Sequence, residues 1–355
     1  MSNHDHRGHG QTTTPTAHAP GSAPARATGQ GHRHSHEHSH AQSHEHGHDT
    51  GHPDWETLGP LLEQGAEVQT PFFEQAAVWL RELLADADTD TAIGPGPHTA
   101  TGPAVGAAMA AGRVRRVLDI GSGPGVTTCL LAQAFPEAEV VAVDATAALL
   151  ERTRVRAARL GLGDRIHTHL AELPDGLDAL GGADLIWSSK ALHHIGDQRG
   201  AVSDLAGHLR PGGLLAVSEG GLNPRFLPRD IGIGRPGLQT RLDALLEEGF
   251  TEMRAALPDA VTAVEDWPAF LADAGLRTPR TRSFLLDLPA PLSAAARDYV
   301  LAGLARSLDR FSDQLDQDDL TTLARLTDPD DAAGISRRPD VFLLSAQTVH
   351  TARAQ

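Results

Sequence analysis

Several residue types are scarce in this chain, and each scarcity excludes a class of protein. Cys129 is the only cysteine among 355 residues, so no disulfide can form within the chain. That is typical of proteins kept in a reducing compartment. No apolar run approaches the roughly 20 residues that a membrane-spanning helix needs, and the polar first residues contain no apolar segment of a secretory signal. We therefore expect a cytoplasmic protein without a membrane partner.

Basic residues are outnumbered as well. Lys and Arg total 30 against 46 Asp and Glu, which gives a formal net charge of −16. A surface of that charge repels phosphate backbones, so nucleic acid is not an expected partner, whereas a small molecule is compatible with it. Lys190 is the only lysine, and we attribute this to the base composition of the gene rather than to function. The oligomeric state cannot be predicted.

The first 52 residues contain no Leu, Ile, Val or Phe. Such a segment cannot bury enough apolar surface to offset its ordering entropy, so residues 1–52 are predicted to be a disordered tail. Thirteen of the 20 histidines lie there. Imidazoles bind divalent metal ions, but the irregular spacing defines no coordination geometry. The densest stretch offers weak metal sites at His34, His36, His38 and His40, and a solvated tail without a metal role is the alternative.

Residues 53–111 are interpreted as an N-terminal helical extension. Thr70 is suited to cap a helix that begins with Pro71 and continues through apolar positions to Leu84. A connector rich in Gly, Pro and Thr spans residues 88–103, and a small helix is expected to end near Gly112.

From residue 112 onward, short apolar segments alternate with helical patterns. Strands that are apolar on both faces and separated by helices predict a parallel sheet covered on both sides, a doubly wound α/β fold. The C-terminal half adds helical insertions at about 225–264 and 292–326, which are candidate lids over a ligand site. The expected strands are 114–120, 139–143, 165–170, 183–188 and 214–218, with two late strands at 280–288 and 341–348.

The most informative segment is a glycine loop between the first strand and the following helix, Asp119-Ile120-Gly121-Ser122-Gly123-Pro124-Gly125. Glycines let the backbone turn tightly and approach a ligand closely. The spacing of dinucleotide-binding enzymes would require glycine at position 126, which is Val126. The loop instead resembles motif I of the class I S-adenosylmethionine-dependent methyltransferases.

This resemblance implies a Rossmann-like, mostly parallel seven-stranded sheet over residues 112–355, S-adenosyl-L-methionine as cofactor, and a set of binding residues. Asp144, which ends the second strand, would accept hydrogen bonds from the ribose hydroxyls, and Glu172 would lie near the adenine. Leu170 stands where many relatives carry an aspartate, so the sequence departs from the family pattern there. The cofactor-binding residues so implied are Asp119, Gly121, Ser122, Gly123, Gly125, Asp144, Ala145, Glu172 and Ser188.

Candidate catalytic residues follow the fourth and fifth strands, where such sheets open their ligand crevice. His193 is a candidate general base, because its reference pKa is near neutrality. The alternative is that a histidine here packs against or caps the next helix. Glu219 could bind or deprotonate an acceptor, or be a hydrogen-bonded structural acid. Transfer would be an in-line displacement that depends mainly on positioning, with a base only where the acceptor loses a proton.

The sequence thus predicts a methyltransferase acting on a small-molecule oxygen or nitrogen nucleophile. The alternative is a metal-binding or metal-sensing protein that uses the histidine-rich tail on a vestigial methyltransferase scaffold. A vestigial scaffold would be expected to lose loop glycines or the ribose-binding acid, and this chain retains them. An NAD-dependent oxidoreductase conflicts with the glycine spacing.

Overall fold

The computed structural model describes residues 55–90, 114–173 and 175–355. All of them belong to the unit His52–Gln355 into which the chain divides. The predictions for the histidine-rich segment 1–52, with its candidate metal ligands, lie outside the described residues. So do those for most of the connector and for the small helix before Gly112.

Seven strands form one sheet in the order β3-β2-β1-β4-β5-β7-β6. The first five strands run parallel, and β7 is inserted antiparallel between β5 and β6. This confirms the predicted fold class, a mostly parallel Rossmann-like sheet closed by a reversed hairpin. The strands are β1 (Arg116–Ile120), β2 (Glu139–Asp144), β3 (Ile166–Leu170), β4 (Ala183–Ser189), β5 (Leu209–Arg225), β6 (Arg277–Leu288) and β7 (Leu343–Arg353).

Helices cover both faces of the sheet, as the doubly apolar strands require. They are α1 (Trp55–Val68), α2 (Thr70–Asp90), α3 (Val126–Ala134), α4 (Ala147–Arg159), α5 (Gln198–Gly207), α6 (Leu238–Ala256), α7 (Trp267–Asp273), α8 (Ala294–Phe311) and α9 (Gln317–Thr327). The helix predicted from Pro71 is α2. Within the described part of the chain, none of these helices combines the length and the hydropathy needed to cross a bilayer.

Two apolar clusters form the core on either side of the sheet. On one side Phe72 and Trp79 of α2 pack with Phe135 after α3 and with the buried faces of β1 and β2. On the other side α5 and α7 cover Leu118 and Ile186. Burial of a large apolar side chain contributes about 1.5–3 kcal/mol, so these clusters hold the carboxyl ends of β1, β2 and β4 in a fixed arrangement.

The C-terminal additions have an apolar cluster of their own. Side chains of α6, α8 and α9 pack there with Leu286 of β6 and Leu343 of β7. The helical insertions predicted at 225–264 and 292–326 therefore contain α6 in the first and α8 and α9 in the second. Their apolar faces bury against the edge of the sheet rather than against its centre.

β5 is longer than the sequence predicts. The apolar segment 214–218 forms its buried centre, but hydrogen bonding to β7 continues to Arg225 through two irregularities in the register. Leu222 is 69% exposed, so an apolar pattern cannot reveal this extension. Its strand conformation comes from the backbone pairing with β7.

Candidate active site

A cavity of about 480 Å³ lies at the carboxyl ends of β1, β2 and β4. This is the edge where doubly wound sheets bind their ligands. Its walls are the glycine loop and the residues that follow β2, β3 and β4, together with side chains from α1, from the start of α2 and from α8. The cavity therefore lies between the sheet, the N-terminal extension and the C-terminal insertion.

The glycine loop presents its backbone to this cavity. Gly121 and Gly123 have positive φ angles of 67° and 55°, which side-chain-bearing residues rarely adopt. A Cβ atom at Gly121 would lie 2.3 Å from Cβ of Ala191, so the loop and the residues after β4 are in close contact. A Cβ atom at Gly123 would meet no heavy atom within 4 Å. Gly123 thus borders open space and can approach a ligand.

Asp144 at the end of β2 holds this loop in place. Its Oδ2 accepts a hydrogen bond of 2.8 Å from the Gly123 amide, and its Oδ1 accepts one of 2.9 Å from the Thr146 amide. Partial burial raises the pKa of the Asp144 carboxyl, while these hydrogen bonds oppose the shift. A carboxylate has about four acceptor positions, so both oxygens can also accept from a ligand in the cavity.

Asp119 of β1 contributes a buried acid to the cavity wall. It is 2% exposed, and its carboxylate accepts a hydrogen bond of 2.6 Å from Oγ1 of Thr128. Burial raises the pKa of Asp119 from 3.8 to about 7; the Thr128 hydrogen bond opposes the rise and the nearby Asp144 adds to it. A positively charged ligand group in the cavity would favour the ionised form of Asp119.

Glu219 of β5 binds the turn that follows β4. Its Oε1 accepts hydrogen bonds from the amides of Ala191 and Leu192, and its Oε2 lies 2.8 Å from Nδ1 of His193. Glu219 is 5% exposed. Neither it nor His193 is among the residues that line the cavity, whereas His194 is. The structure therefore places Glu219 as a hydrogen-bonded support, and the roles of His193 and Glu219 in catalysis stay predictions.

We expect Glu219→Ala to destabilise the protein far more than Glu219→Gln. Alanine leaves two buried amides without an acceptor, at about 1–3 kcal/mol each, whereas glutamine retains an acceptor oxygen for them. Urea unfolding at neutral pH measures the difference in the free energy of unfolding. Equal stability of the two variants would contradict the supporting role of Glu219.

The other predicted cofactor residues fall into two groups. Ala145 and Glu172 are exposed and line the cavity beside the loop. Gly125 and Ser188 do not line it. Gly125 packs behind the loop, where a Cβ atom would lie 2.5 Å from the Thr153 side chain. Ser188 is fully buried within β4, and Ser189 lines the cavity instead.

Several residues that line the cavity were not expected there from the sequence, among them Gln69, Lys190, Tyr299 and Arg306. Lys190 has a positive φ of 52° and donates from Nζ to Oε1 of Gln69 at 3.3 Å. Protein surrounds Lys190 on most sides, although it keeps exposed surface toward the cavity; this burial lowers the pKa of its amine, and Glu219 opposes the shift. The sequence carries no local signal for this group, because its members come from segments far apart along the chain.

Comparison with known proteins identifies the domain. A family described as "Methyltransferase domain" matches residues 118–215. A trans-aconitate 2-methyltransferase of Methylobacterium radiotolerans is 37% identical over 105 residues, which are 29% of this chain and 37% of that protein. An uncharacterized methyltransferase of Mycobacterium tuberculosis is 42% identical over 103 residues, 28% of this chain and 48% of that protein. Residues 118–215 are therefore assigned to a class I, S-adenosylmethionine-dependent methyltransferase domain.

The methyltransferase relatives share only part of their length with this chain. The match covers between 24% and 48% of the curated relatives. Among solved structures, a SAM-dependent methyltransferase of Geobacter sulfurreducens in complex with S-adenosyl-L-homocysteine is 19% identical, with a TM-score of 0.37, covering 68% of this chain and 87% of that chain. The chain thus spans less than half of the length of these curated relatives.

S-adenosyl-L-methionine is the cofactor of such a domain, and the residues of this cavity fit it. The volume of about 480 Å³ lies within the range of roughly 300–1,000 Å³ typical of small-molecule sites. Within the described part of the chain, the buried Oγ of Ser122 has no hydrogen-bond partner, and it lies in the cavity wall. Open space at Gly123 and the remaining acceptor positions of Asp144 complete a polar site for a nucleoside.

Proposed function

We propose that this protein transfers a methyl group from S-adenosyl-L-methionine to a small-molecule acceptor with an oxygen or nitrogen nucleophile. One observation carries the proposal: the glycine loop, Asp119 and Asp144 converge on one cavity at the carboxyl ends of β1, β2 and β4. Bound there, S-adenosyl-L-methionine would supply an electrophilic methyl group, to which the acceptor nucleophile bonds in line while the thioether sulfur leaves.

In this proposal different residues of the cavity bind different parts of the cofactor. Asp144 accepts hydrogen bonds from the ribose hydroxyls with the acceptor positions that Gly123 and Thr146 leave open. The buried carboxylate of Asp119 stabilises the positive charge of the methionine part. Glu172, exposed at the rim of the cavity, lies on the adenine side.

The side of the cavity formed by Lys190, His194 and Arg306 would receive the acceptor. These side chains come from the residues after β4 and from α8 rather than from the glycine loop. His193 remains the predicted general base for an acceptor that must lose a proton, with its Nδ1 held by Glu219. The catalytic contribution of the protein is chiefly positioning and exclusion of water.

A small acceptor is supported by the size of the cavity and by the names of relatives. Several matched relatives are trans-aconitate 2-methyltransferases, named for a small organic acid. For the metal-binding alternative, the described residues include no group of His, Cys, Asp or Glu placed to hold a metal ion. No observation favours that second function.

A transfer assay tests the proposal. The full-length protein is incubated with S-adenosylmethionine labelled with tritium on the methyl group and with bacterial cell extract divided into a low-molecular-mass filtrate and the retained macromolecules. We expect label to enter the filtrate and the Asp144→Asn variant to transfer none. Label found only in retained protein or nucleic acid would contradict a small acceptor, and no transfer to either fraction would contradict the activity.

A further inference from the structure

A second cavity lies beside the first. It has a volume of about 410 Å³ and is enclosed by the end of β5, by α6 and by α8. Its lining is largely apolar, with Phe226, Leu242, Leu246, Val300 and Phe311 among its walls. Nothing in the cofactor site described above uses this volume. A cavity of this size and composition is suited to the apolar body of a small molecule.

The two cavities share a wall. Tyr299 and Arg306, both on α8, line the second cavity and also line the cofactor cavity. Gln69 lies near Tyr299, and its Oε1 accepts a hydrogen bond from Nζ of Lys190. The shared wall is therefore connected to the residues after β4, where the methyl acceptor is proposed to lie.

The charged groups around the shared wall favour an anion. Arg306 and Arg310 both line the second cavity, and neither forms an ion pair with a carboxylate among the described residues. Two acids line the second cavity. Asp243 is paired with Arg225, so Asp309 is the acid that remains to balance the charges of Arg306 and Arg310. Because unpaired cations outnumber the unpaired acid, an anionic oxygen is stabilised at this wall.

We propose that the second cavity holds the methyl acceptor, and that this acceptor has an apolar body and a carboxylate or phenolate oxygen. The body lies between α6 and α8, and the anionic oxygen reaches the shared wall at Tyr299 and Arg306. An oxyanion carries its nucleophilic lone pair without losing a proton: that pair forms the bond to the methyl carbon while the carbon–sulfur pair leaves with the thioether sulfur. The inference rests on the proposed function, because it assigns an acceptor to the same reaction.

Gly303 offers a way to fill the second cavity without disturbing its walls. It lies inside α8 and lines the cavity, and a Cβ atom there would meet no heavy atom within 4 Å. A leucine at this position projects into the empty volume and is a better helix former than glycine. Gly207→Leu is the matched control, because Gly207 ends α5, lines neither cavity and also borders open space.

The test is calorimetric titration of 2-naphthoate, which joins an apolar body to a carboxylate, into the full-length protein saturated with S-adenosylhomocysteine. We expect binding to the unmodified protein and to Gly207→Leu, and at least a tenfold loss in Gly303→Leu. The neutral analogue 2-naphthamide should bind at least tenfold more weakly than 2-naphthoate, and Arg306→Ala should remove that preference. Affinity for S-adenosylhomocysteine should be the same in Gly303→Leu, Gly207→Leu and the unmodified protein.

Three results would overturn the inference: no binding of 2-naphthoate, equal binding of the acid and the amide, or unaltered binding by Gly303→Leu. Each of these leaves the proposed function standing if S-adenosylhomocysteine still binds. Loss of S-adenosylhomocysteine binding by the unmodified protein would instead refute the proposed function itself.

Discussion

Asp144→Asn is expected to weaken the binding of S-adenosylhomocysteine by roughly 100- to 10,000-fold. The carboxylate accepts hydrogen bonds from Gly123 and Thr146 and, in our proposal, from both ribose hydroxyls. An asparagine can present only one acceptor oxygen, and its amide donates where an acceptor is needed. The loss of two hydrogen bonds to a charged group, at about 1.5–3 kcal/mol each, accounts for the expected change.

Calorimetry with S-adenosylhomocysteine measures this effect. Asp164→Asn serves as the control, because Asp164 is exposed in the segment before β3 and lines neither cavity. Circular dichroism shows whether each variant retains its fold. A folded Asp144→Asn protein that binds S-adenosylhomocysteine within threefold of the unmodified protein would show that Asp144 does not hold the cofactor.

Asp119→Asn should remove a pH dependence of stability that the unmodified protein shows between about pH 4 and 7. Burial raises the pKa of Asp119 from 3.8 to about 7. In that window the folded protein keeps a proton that the unfolded chain has lost, so the free energy of unfolding falls as pH rises. The slope is about 1.4 kcal/mol per pH unit, and the total loss reaches about 4 kcal/mol above pH 7.

Asparagine is a suitable replacement because its amide oxygen can still accept from Thr128, and it carries no charge at any pH. Urea unfolding of both proteins at several pH values isolates the contribution of Asp119 in the difference between them. We expect the free energy of unfolding of the variant to rise relative to that of the unmodified protein from pH 5 to 7. Above pH 7 the difference between the two proteins should stay constant. A constant difference from pH 5 to 7 would mean that Asp119 does not titrate there.

The cofactor half of the site could be predicted from the sequence because its signals are local. The glycine loop follows β1 directly, and Asp144 follows β2. Both lie at strand ends, and the carboxyl ends of parallel strands meet at one edge of a sheet. The positions of Asp119, Gly123, Asp144 and Glu172 around one cavity therefore follow from the order of strands and helices.

The side of the cavity that we propose for the acceptor could not be predicted in this way. Its wall combines Gln69 from the turn between α1 and α2, Lys190 after β4, and Tyr299 and Arg306 on α8. No spacing in the sequence relates residues that lie this far apart along the chain. The exposed end of β5, which borders the second cavity, has no apolar pattern because its backbone pairing alone makes it a strand.

Which side chains after β4 reach the cavity could not be predicted from the sequence either. The sequence offered His193 as a candidate base, with packing as the alternative, whereas the cavity is lined by Lys190 and His194. The direction of each side chain depends on the turn at Leu192–His194, which Glu219 holds from β5 and Arg254 from α6. Only the folded chain brings those two elements to the turn.

Calorimetric titration of S-adenosylhomocysteine into the full-length protein tests whether the cavity at the carboxyl ends of β1, β2 and β4 binds the cofactor. We expect one binding site per chain with a dissociation constant in the micromolar range. That corresponds to a binding free energy of about −8 kcal/mol. Absence of binding by the folded protein would contradict the assignment of the cavity to the cofactor, and with it the proposed methyl transfer.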